Sequence, residues 1–212
     1  MKIIIFGANG LTGNELVKQA LENKHNVIAL VRNPSSIKIE HPNLKVKKAN
    51  ILDVKSFENI FENADVIISA VGTGASISKA RKPTTIYSEG YKNIVTAMRK
   101  HGIKRFIALL SVGTIPDPNE AAIHRIMIRP MLKGTYDDMR RAESFLETCN
   151  DIDWIGIRPL RLNNKAKTGK YRTGIDFLPE KGVNIIRADV ADLMLKLMTS
   201  DENIRKYVTI AD

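Results

Sequence analysis

The chain has 212 residues, of which 43% are hydrophobic and 26% charged, with a net charge of +10. This length fits a single domain spanning residues 1–212, and the composition supports a buried core, which excludes general disorder. No apolar run approaches the roughly 20 residues needed to cross a bilayer. The run Ile3 to Phe6 is too short for a signal peptide, and the lone Cys149 allows no internal disulfide. We therefore expect a soluble cytoplasmic protein that has no membrane partner.

The 33 basic residues are scattered along the chain, as in the segments 45–48, 99–105 and 165–172. No recognised nucleic-acid motif accompanies them, so nucleic acid is not an expected partner. A basic surface that attracts a multiply anionic small molecule explains the charge equally well. The histidines show no spacing typical of a metal site, and only His124, in a long connection, could lie near a substrate.

Strand-like and helix-like segments alternate along the whole chain. Strands are predicted at 2–6, 26–31, 44–48, 65–71, 104–111, 153–159 and 207–211. Helices are predicted at 11–23, 85–101, 136–149 and 188–200, with a short helix after the candidate N-cap Asp53 and a helix stop at Gly102. This alternation predicts an α/β fold, a doubly wound and mainly parallel sheet with helices on both faces.

Two connections depart from this regularity. Residues 112–135 contain three prolines and could carry a short helix within 119–132, and residues 160–182 are rich in Gly and Lys. Both follow predicted strand C-termini, where open α/β sheets bind their ligands. We expect both to be loops on the substrate side.

Gly7, Gly10 and Gly13 lie between the first strand and the first helix. In this position the first glycine permits a tight turn, the second lets backbone approach a pyrophosphate, and the third lets helix and strand pack closely. The start of the helix then offers free N–H groups and partial positive charge to the phosphates. The turn predicts a dinucleotide site in a single-domain Rossmann fold; a tight turn without a ligand is the alternative.

The end of the second strand indicates which dinucleotide is bound. A site for NAD usually has Asp or Glu there to bind the ribose 2′-hydroxyl, whereas this chain has Arg32. A guanidinium can bind a 2′-phosphate with two parallel hydrogen bonds. NADP(H) is therefore favoured over NAD(H). Arg32 could instead be a solvated cation, and Lys38 or Lys48 could share its role.

With these motifs the chain resembles the atypical short-chain dehydrogenase/reductase superfamily, in particular small NAD(P)H-binding proteins similar to biliverdin reductase B (flavin reductase) and NmrA-like proteins. The resemblance covers almost the whole chain. Its matching stretches are "FGANGLTG", "LVRNP", "TTIYSEGYKNIVTAMRKHGIKRFIALLS", "IRP" and "RADVADLMLKLM".

The resemblance implies a set of cofactor contacts. Pyrophosphate contacts are implied for Gly7, Asn9, Gly10, Leu11, Thr12 and Gly13, the 2′-phosphate contact for Arg32, adenine contacts for Asn50 and Ile51, and contacts at the ribose and nicotinamide for Ala70, Val71, Gly72, Ser111, Pro159 and Leu160. Asn50 replaces the Asp that is usual in the family, so the position keeps its hydrogen-bonding capacity and loses a charge.

The resemblance also points to catalytic residues, with departures. Superfamily oxidoreductases combine a Ser or Thr after the fifth strand with a YxxxK pair, in which Lys lowers the pKa of Tyr for proton exchange. This chain has Ser111, but the pair is Tyr136 and Arg140. Arginine supplies charge and does not deprotonate. Tyr136 could instead be an aromatic packed at a helix start. The histidine of biliverdin reductases is replaced by Leu160, which argues against biliverdin as substrate.

These features favour an NADPH-dependent oxidoreductase that passes hydride to a flavin, a quinone or a similar conjugated acceptor, since such acceptors can take their proton from water. A non-catalytic NADP(H)-binding redox sensor of the NmrA type, with a protein partner, is the alternative. An epimerase or dehydratase of a nucleotide-activated sugar would need a larger C-terminal substrate domain than 212 residues provide. Monomer and homodimer both remain open.

Overall fold

The fold is built on a central parallel sheet. In the computed structural model, which describes residues 1–74, 80–119 and 124–212, eight strands form one sheet in the order β3-β2-β1-β4-β5-β6-β10-β8. All neighbours are parallel except the antiparallel pair β8 and β10. The strands are β1 Lys2–Phe6, β2 Asn26–Val31, β3 Leu44–Lys48, β4 Val66–Ser69, β5 Arg105–Leu109, β6 Asp153–Pro159, β8 Arg172–Ile175 and β10 Lys206–Ala211. A separate parallel pair joins β7 Leu162–Asn163 and β9 Ile185–Ile186.

Helices cover both faces of the sheet. They are α1 Leu11–Glu22, α2 Ser88–Lys100, α3 Lys133–Glu147 and α4 Arg187–Leu197. Shorter 3₁₀ turns span Pro34–Ser36, Val54–Ser56, Glu58–Phe61 and Val112–Thr114, and a π-helical turn His124–Ile128 runs into the helical turn Arg129–Met131. Helices α1 and α4 pack on one face, and α2 and α3 on the other. In the part of the chain that the structure describes, no helix combines the length and the apolar character needed to cross a membrane.

The side chains of β1 show how one strand serves two cores. Ile3 and Ile5 pack into the core under α1 and α4, whereas Ile4 and Phe6 pack into the core under α2 and α3. All four are fully or almost fully buried. A parallel strand that is covered on both faces gives this unbroken apolar run. The predicted Rossmann-type α/β fold is confirmed.

Most local predictions are confirmed within a few residues. Asp53 is the N-cap of the turn Val54–Ser56 and accepts a hydrogen bond from the Lys55 amide at 3.2 Å. Gly102 follows the end of α2 with a φ of +67°, a left-handed conformation that glycine adopts without strain.

The predicted start of α3 at residue 136 is wrong, because α3 begins at Lys133. Gly134 is therefore a helical residue rather than part of the connection 112–135. A Cβ at Gly134 would lie 2.0 Å from the carbonyl oxygen of Lys82, so this glycine lets the first turn of α3 approach neighbouring backbone. For the short helix expected within 119–132, residues 120–123 lie outside the described residues, and helical turns follow from His124 onward.

The expectation that 160–182 is entirely loop is also wrong, since β7 and β8 lie within it. Strand β8 is largely exposed and adds to the edge of the sheet beside β10, with Ile175 opposite Val208. Because neither face of β8 is buried in the core, its sequence lacks the apolar pattern by which the other strands are predicted.

The start of α2 is capped by a residue of α3. The fully buried carboxylate of Asp138 accepts hydrogen bonds from the amides of Tyr87 and Ser88 at 2.8 and 3.4 Å, and from the Ser88 hydroxyl at 2.5 Å. A carboxylate is favoured there because it satisfies free N–H groups and faces the positive end of the helix dipole. Asp138 therefore fixes α2 against α3 and sets the start of α2 at Ser88 rather than at residue 85.

Candidate cofactor and acceptor site

The glycine turn brings β1, β4 and α1 together at the C-terminal edge of the sheet. Gly7 has a φ of +72°, and a Cβ there would lie 2.6 Å from the carbonyl carbon and oxygen of Ala70. A Cβ at Gly13 would lie 2.1 Å from the Gly7 oxygen, and the Gly10 amide donates to that same oxygen at 2.9 Å. Backbone approaches backbone at all three positions, so the turn needs residues without side chains.

The N-terminus of α1 is open to an anion. Gly10 is its N-cap, no side chain caps it, and its first turn contains no acidic residue. Asn9 and Gly10 are exposed, Leu11 is 59% exposed, and Thr12 is buried. The amides at the start of a helix, together with its dipole, bind phosphate groups. The turn therefore fits the pyrophosphate of a dinucleotide, as the glycine spacing predicts.

The residues expected near the adenosine lie at the ends of two neighbouring strands. Arg32 directly follows β2 and Asn50 lies just beyond β3, and the Ala49 amide donates to the Val31 oxygen at 2.9 Å. Arg32 is exposed and makes no hydrogen bond or ion pair with the residues described. Its guanidinium is therefore available to a 2′-phosphate. The alternative cations Lys38 and Lys48 are also exposed.

Asn50 and Ile51 are both engaged with the protein itself. The Asn50 side-chain oxygen accepts a hydrogen bond from the Leu52 amide at 3.2 Å. Ile51 is buried against α2, where a Cβ on Gly90 would lie 2.8 Å from its Cδ1. The carbonyl of Ile51 accepts from the Asn93 side chain at 3.0 Å. These contacts fix the backbone of the predicted adenine site, with the Ile51 side chain directed into the core.

The exit of β4 lies beside the start of α3. The Ala70 amide donates to Phe6, Val71 is half-buried and Gly72 is exposed. The hydroxyls of Thr73 and Thr135 are 3.2 Å apart, which joins this exit to the first turn of α3. The ribose and nicotinamide site predicted at 70–72 therefore lies next to that turn.

Tyr87 is a residue of this region that the sequence did not single out. A Cβ on Gly72 would lie 3.7 Å from its hydroxyl. Burial, reinforced by Asp138, raises the pKa of Tyr87 above its usual range, so the hydroxyl stays protonated. Its position inside a predicted helix gave no signal for a role at the site.

Ser111 and Tyr136 meet across the turn that follows β5. Ser111 is half-buried and is the N-cap of the turn Val112–Thr114; its hydroxyl oxygen accepts from the Gly113 amide at 3.4 Å. Tyr136 is buried with its ring against Gly113, where a Cβ would lie 2.2 Å from the ring Cζ. Gly113 therefore allows the tyrosine to lie directly against the serine turn.

A recess of about 300 Å³ opens beside this contact. It is lined by Gly113, Arg129, Pro130, Lys133, Tyr136 and Arg140, and we call it the basic recess. Arg140 forms an ion pair with Asp137, which also pairs with Lys133. The hydrogen bond from Lys133, helped by the charges of Lys133 and Arg140, lowers the pKa of Asp137. The predicted pair Tyr136 and Arg140 thus lines one recess, and the Arg140 guanidinium forms its ion pair with Asp137.

Pro159 and Leu160 lie at the end of β6. Pro159 is buried, and the half-buried Leu160 packs against the small cluster of Val112, Leu178 and Ala211. Val112 follows Ser111 directly, so Leu160 fills the space beside the serine turn with apolar atoms. The side chain of His124, which the sequence places in the connection 112–135, lies outside what the structure describes.

A buried ion pair supports the serine turn. Arg158 of β6 donates to Glu143 of α3 at 2.9 Å, and both side chains are buried. The Thr114 hydroxyl is 3.0 Å from the same carboxylate and 3.2 Å from the carbonyl oxygen of Ser111. Burial raises the pKa of Glu143, and the hydrogen bonds from Arg158 and Thr114 offset part of this shift. The Arg158 guanidinium lies 3.7 Å from the ring centre of Tyr207.

This ion pair was missed from the sequence, although a signal was present. Arg158 interrupts an otherwise apolar strand, and an arginine in a buried strand requires a partner.

A sequence model of the NAD(P)H-binding family matches residues 7–201. The chain belongs to this family. An uncharacterized protein of Bacillus subtilis (strain 168), YwnB, is 25% identical over 219 residues, covering 99% of this chain and 98% of that one. A crystal structure from Burkholderia pseudomallei is 28% identical, has a TM-score of 0.82 and covers 100% of both chains. The resemblance to atypical short-chain dehydrogenases/reductases is confirmed.

A structure from Streptococcus pneumoniae, described as a candidate NADH-flavin reductase, has a TM-score of 0.77 at 19% identity and covers 100% of this chain and 99% of that one. At this identity the likeness shows the fold alone. Among the described residues, no cluster of three or more His, Cys, Asp or Glu that could hold a metal ion is found.

The glycine turn borders a second group of residues that the sequence did not single out. A cleft of about 510 Å³ runs from the glycine turn to residues 164–167 and the start of α4, and we call it the basic cleft. Asn9, Gly10 and Leu11 line one side. The other side has Lys165, Lys167 and Arg187 among its lining residues. Part of the connection 160–182 therefore lies beside the predicted pyrophosphate site, and the basic run at 165–172 is the signal that could have indicated it.

Proposed function

We propose that this protein is an NADPH-dependent reductase that passes a hydride to a flavin, a quinone or a similar conjugated acceptor. The oxidoreductase-like NAD(P)H-binding family supports the general class, and the description of the Streptococcus pneumoniae neighbour is in keeping with a flavin. The single observation that carries the choice of acceptor lies at Tyr136. The residue four positions later is Arg140, which cannot deprotonate and is paired with Asp137. The proposed site thus combines a turn suited to cofactor binding with a Tyr136–Arg140 pair that is poorly suited to proton transfer.

The cofactor would supply the redox chemistry, in which the C4–H bond of the nicotinamide breaks and hydride carries two electrons to the acceptor. Water supplies the proton that completes the reduced acceptor. The protein's part is to hold the pyrophosphate on the open amides of α1 and to orient both reactants beside Ser111. Leu160 and the buried Tyr136 exclude water from this end of the site. Acceptors that need a strong general acid in the protein are not favoured.

The acceptor assay tests the reaction. NADPH oxidation is followed at the nicotinamide absorbance band with FMN, riboflavin and several quinones. A Tyr136→Phe variant should keep flavin reduction within about threefold of wild type, because general acid catalysis, where it operates, contributes about 10² to 10⁴-fold. No oxidation with any of these acceptors would rule the reductase out, and a loss of 10²-fold in the variant would make Tyr136 a proton donor.

Cofactor choice is tested at Arg32. Arg32→Ala should weaken NADPH binding by about tenfold, since a charge-assisted contact to the 2′-phosphate is lost, and leave NADH binding nearly unchanged. Titration of both cofactors by fluorescence measures this. The same titrations of Lys38→Ala and Lys48→Ala show whether either exposed lysine shares this role. Equal losses for NADPH and NADH in Arg32→Ala would contradict the 2′-phosphate role.

The redox sensor is the second candidate, and one observation favours it. In the π-helical turn His124–Ile128, Ile126 and Met127 are 67% and 57% exposed, and exposed apolar side chains suit a protein partner. Tight NADP⁺ binding, no turnover with any acceptor and a stable protein complex in a pull-down would favour the sensor over the reductase.

A further inference from the structure

Among the described residues, the ion pairs of Lys133 and Arg140 leave positive charge at the basic recess. Lys133 and Arg140 both pair with the single carboxylate of Asp137. Two cations on one carboxylate leave a net charge of +1 on this group. The side chains of Lys133 and Arg140 are 72% and 52% exposed, so their charges face the opening of the recess.

Lys133 stands where the helix dipole disfavours a cation, and its i,i+4 ion pair with Asp137 offsets part of that cost. It is the first residue of α3, the N-cap Leu132 has no capping side chain, and the first turn contains no acidic residue. A cation in the first turn opposes the helix dipole. Gly134 and Thr135 of this first turn are buried against the backbone of residues 80–82, so the charge at the opening of the recess is carried by the side chains of Lys133 and Arg140.

The recess lies next to the predicted nicotinamide end of the site. Gly113, in its lining, is two residues from Ser111, and Tyr136 forms part of its wall. Thr135, in the same turn of α3, contacts Thr73 just beyond the exit of β4 at 3.2 Å. A molecule bound in the recess would therefore be adjacent to the position from which the cofactor delivers its hydride.

We propose that the basic recess selects acceptors that carry an anionic group, phosphate or carboxylate, which Lys133 and Arg140 bind. This inference rests on the proposed reductase function and narrows its acceptors. The conjugated ring lies toward Tyr136 and Gly113, and the anionic group lies at the opening, between the two cations. An uncharged acceptor with the same ring binds more weakly.

FMN and riboflavin provide a matched pair, because they share one ring system and differ by a phosphate. Their dissociation constants for protein saturated with NADP⁺ are measured by flavin fluorescence and equilibrium dialysis, and their reduction by NADPH is measured in parallel. We expect FMN to bind about fivefold tighter or more at low salt, with the advantage shrinking as salt screens the charges. A flavin that carries a carboxylate in place of the phosphate distinguishes the two anions.

The variants assign the effect to residues. Lys133→Met should weaken FMN binding severalfold with little change in riboflavin binding, and Arg140→Met should weaken FMN binding more than riboflavin binding. Asp137→Asn removes the carboxylate that competes for the two cations, so it should lower the dissociation constant of FMN. Lys100→Met is the control; Lys100 is an exposed lysine at the C-terminal end of α2, where it pairs with Glu58.

The outcomes separate the two claims. Equal binding of FMN and riboflavin, or an FMN preference that survives in Lys133→Met and Arg140→Met, overturns the anion-selective recess. A preference for FMN that depends on Lys133, without reduction of either flavin, supports the recess and overturns the reductase. Reduction of both flavins with equal KM values supports the reductase and overturns the recess.

Discussion

The cofactor end and the acceptor end of this site are held by different kinds of contact. At the cofactor end, close backbone contacts of Gly7, Gly10 and Gly13 within one short turn shape the predicted pyrophosphate site. At the acceptor end, polar side chains join residues far apart in the chain, as in the pairs Thr114 with Glu143 and Asp117 with Leu178. Substitutions that add atoms at the glycines should therefore destabilise the cofactor end. Substitutions that remove polar side chains should destabilise the acceptor end.

The largest effect is expected from Gly13→Ala at the cofactor end. In an ordinary helix this change stabilises by about 1 kcal/mol, because alanine has the higher helix propensity. Here the new Cβ would lie 2.1 Å from the Gly7 oxygen, so α1 must move away from β1. We expect a loss of about 3 kcal/mol in the free energy of unfolding, together with loss of NADPH binding. Denaturant unfolding and cofactor titration measure the two.

Gly10→Ala is the matched comparison, because its Cβ would lie 3.2 Å from the same oxygen. A shift of a few tenths of an ångström relieves that contact, and the cost should be about 1 kcal/mol, in the range of a weakened N-cap. If Gly13→Ala costs no more than Gly10→Ala, the cofactor end does not depend on backbone approach.

The second effect is expected at the acceptor end, from Glu143→Leu. The variant leaves the buried Arg158 without its counter-charge, and we expect a loss of about 3 kcal/mol in the free energy of unfolding. Glu143→Leu combined with Arg158→Leu should recover most of this loss, because the uncompensated charge is gone. A double variant as unstable as the sum of the two single variants would show that the pair acts through packing rather than charge. Denaturant unfolding of all four proteins completes the cycle.

The same contrast explains what the sequence could predict. The glycine turn, the four main helices and the seven strands β1 to β6 and β10 follow from local patterns, glycine spacing and apolar periodicity. Strand β8 was not predicted because it is exposed. The start of α3 was placed too late because Gly134 lies inside the helix, where it packs closely against neighbouring backbone.

Contacts between distant residues could not be predicted from one sequence. Asp138 capping α2, the pairing of Glu143 with Arg158 and the approach of Lys165 to the glycine turn each depend on how helices and loops dock. Local periodicity carries no information on such docking. This is also why the acceptor end, built from these contacts, was predicted less completely than the cofactor end.

The smallest effect is expected from a polar group at the cofactor end. Asp192 of α4 pairs with Lys167 of the basic cleft and with Lys196, both at 2.6 Å. Burial acts to raise the pKa of Asp192, but hydrogen bonds from Lys167, Lys196 and Tyr171 hold it at about 2, below the ordinary 3.8. The folded protein thus binds fewer protons than the unfolded chain between these values, so the ionised carboxylate stabilises the fold above pH 3.8 and loses this contribution as pH falls through about 2.

Asp192→Asn should therefore cost less than about 1 kcal/mol at pH 7, because the pairs are partly exposed and screened by solvent. The difference from wild type, measured by urea unfolding across the acid range, should close as the pH approaches the folded pKa. A cost as large as that of Glu143→Leu would break the contrast between the two ends, since the cofactor end would then also depend on polar side chains. A small cost that vanishes in acid would support the contrast. It would show that the ion pair positioning Lys167 contributes little to the free energy of unfolding, and that the fold at the cofactor end depends mainly on backbone packing.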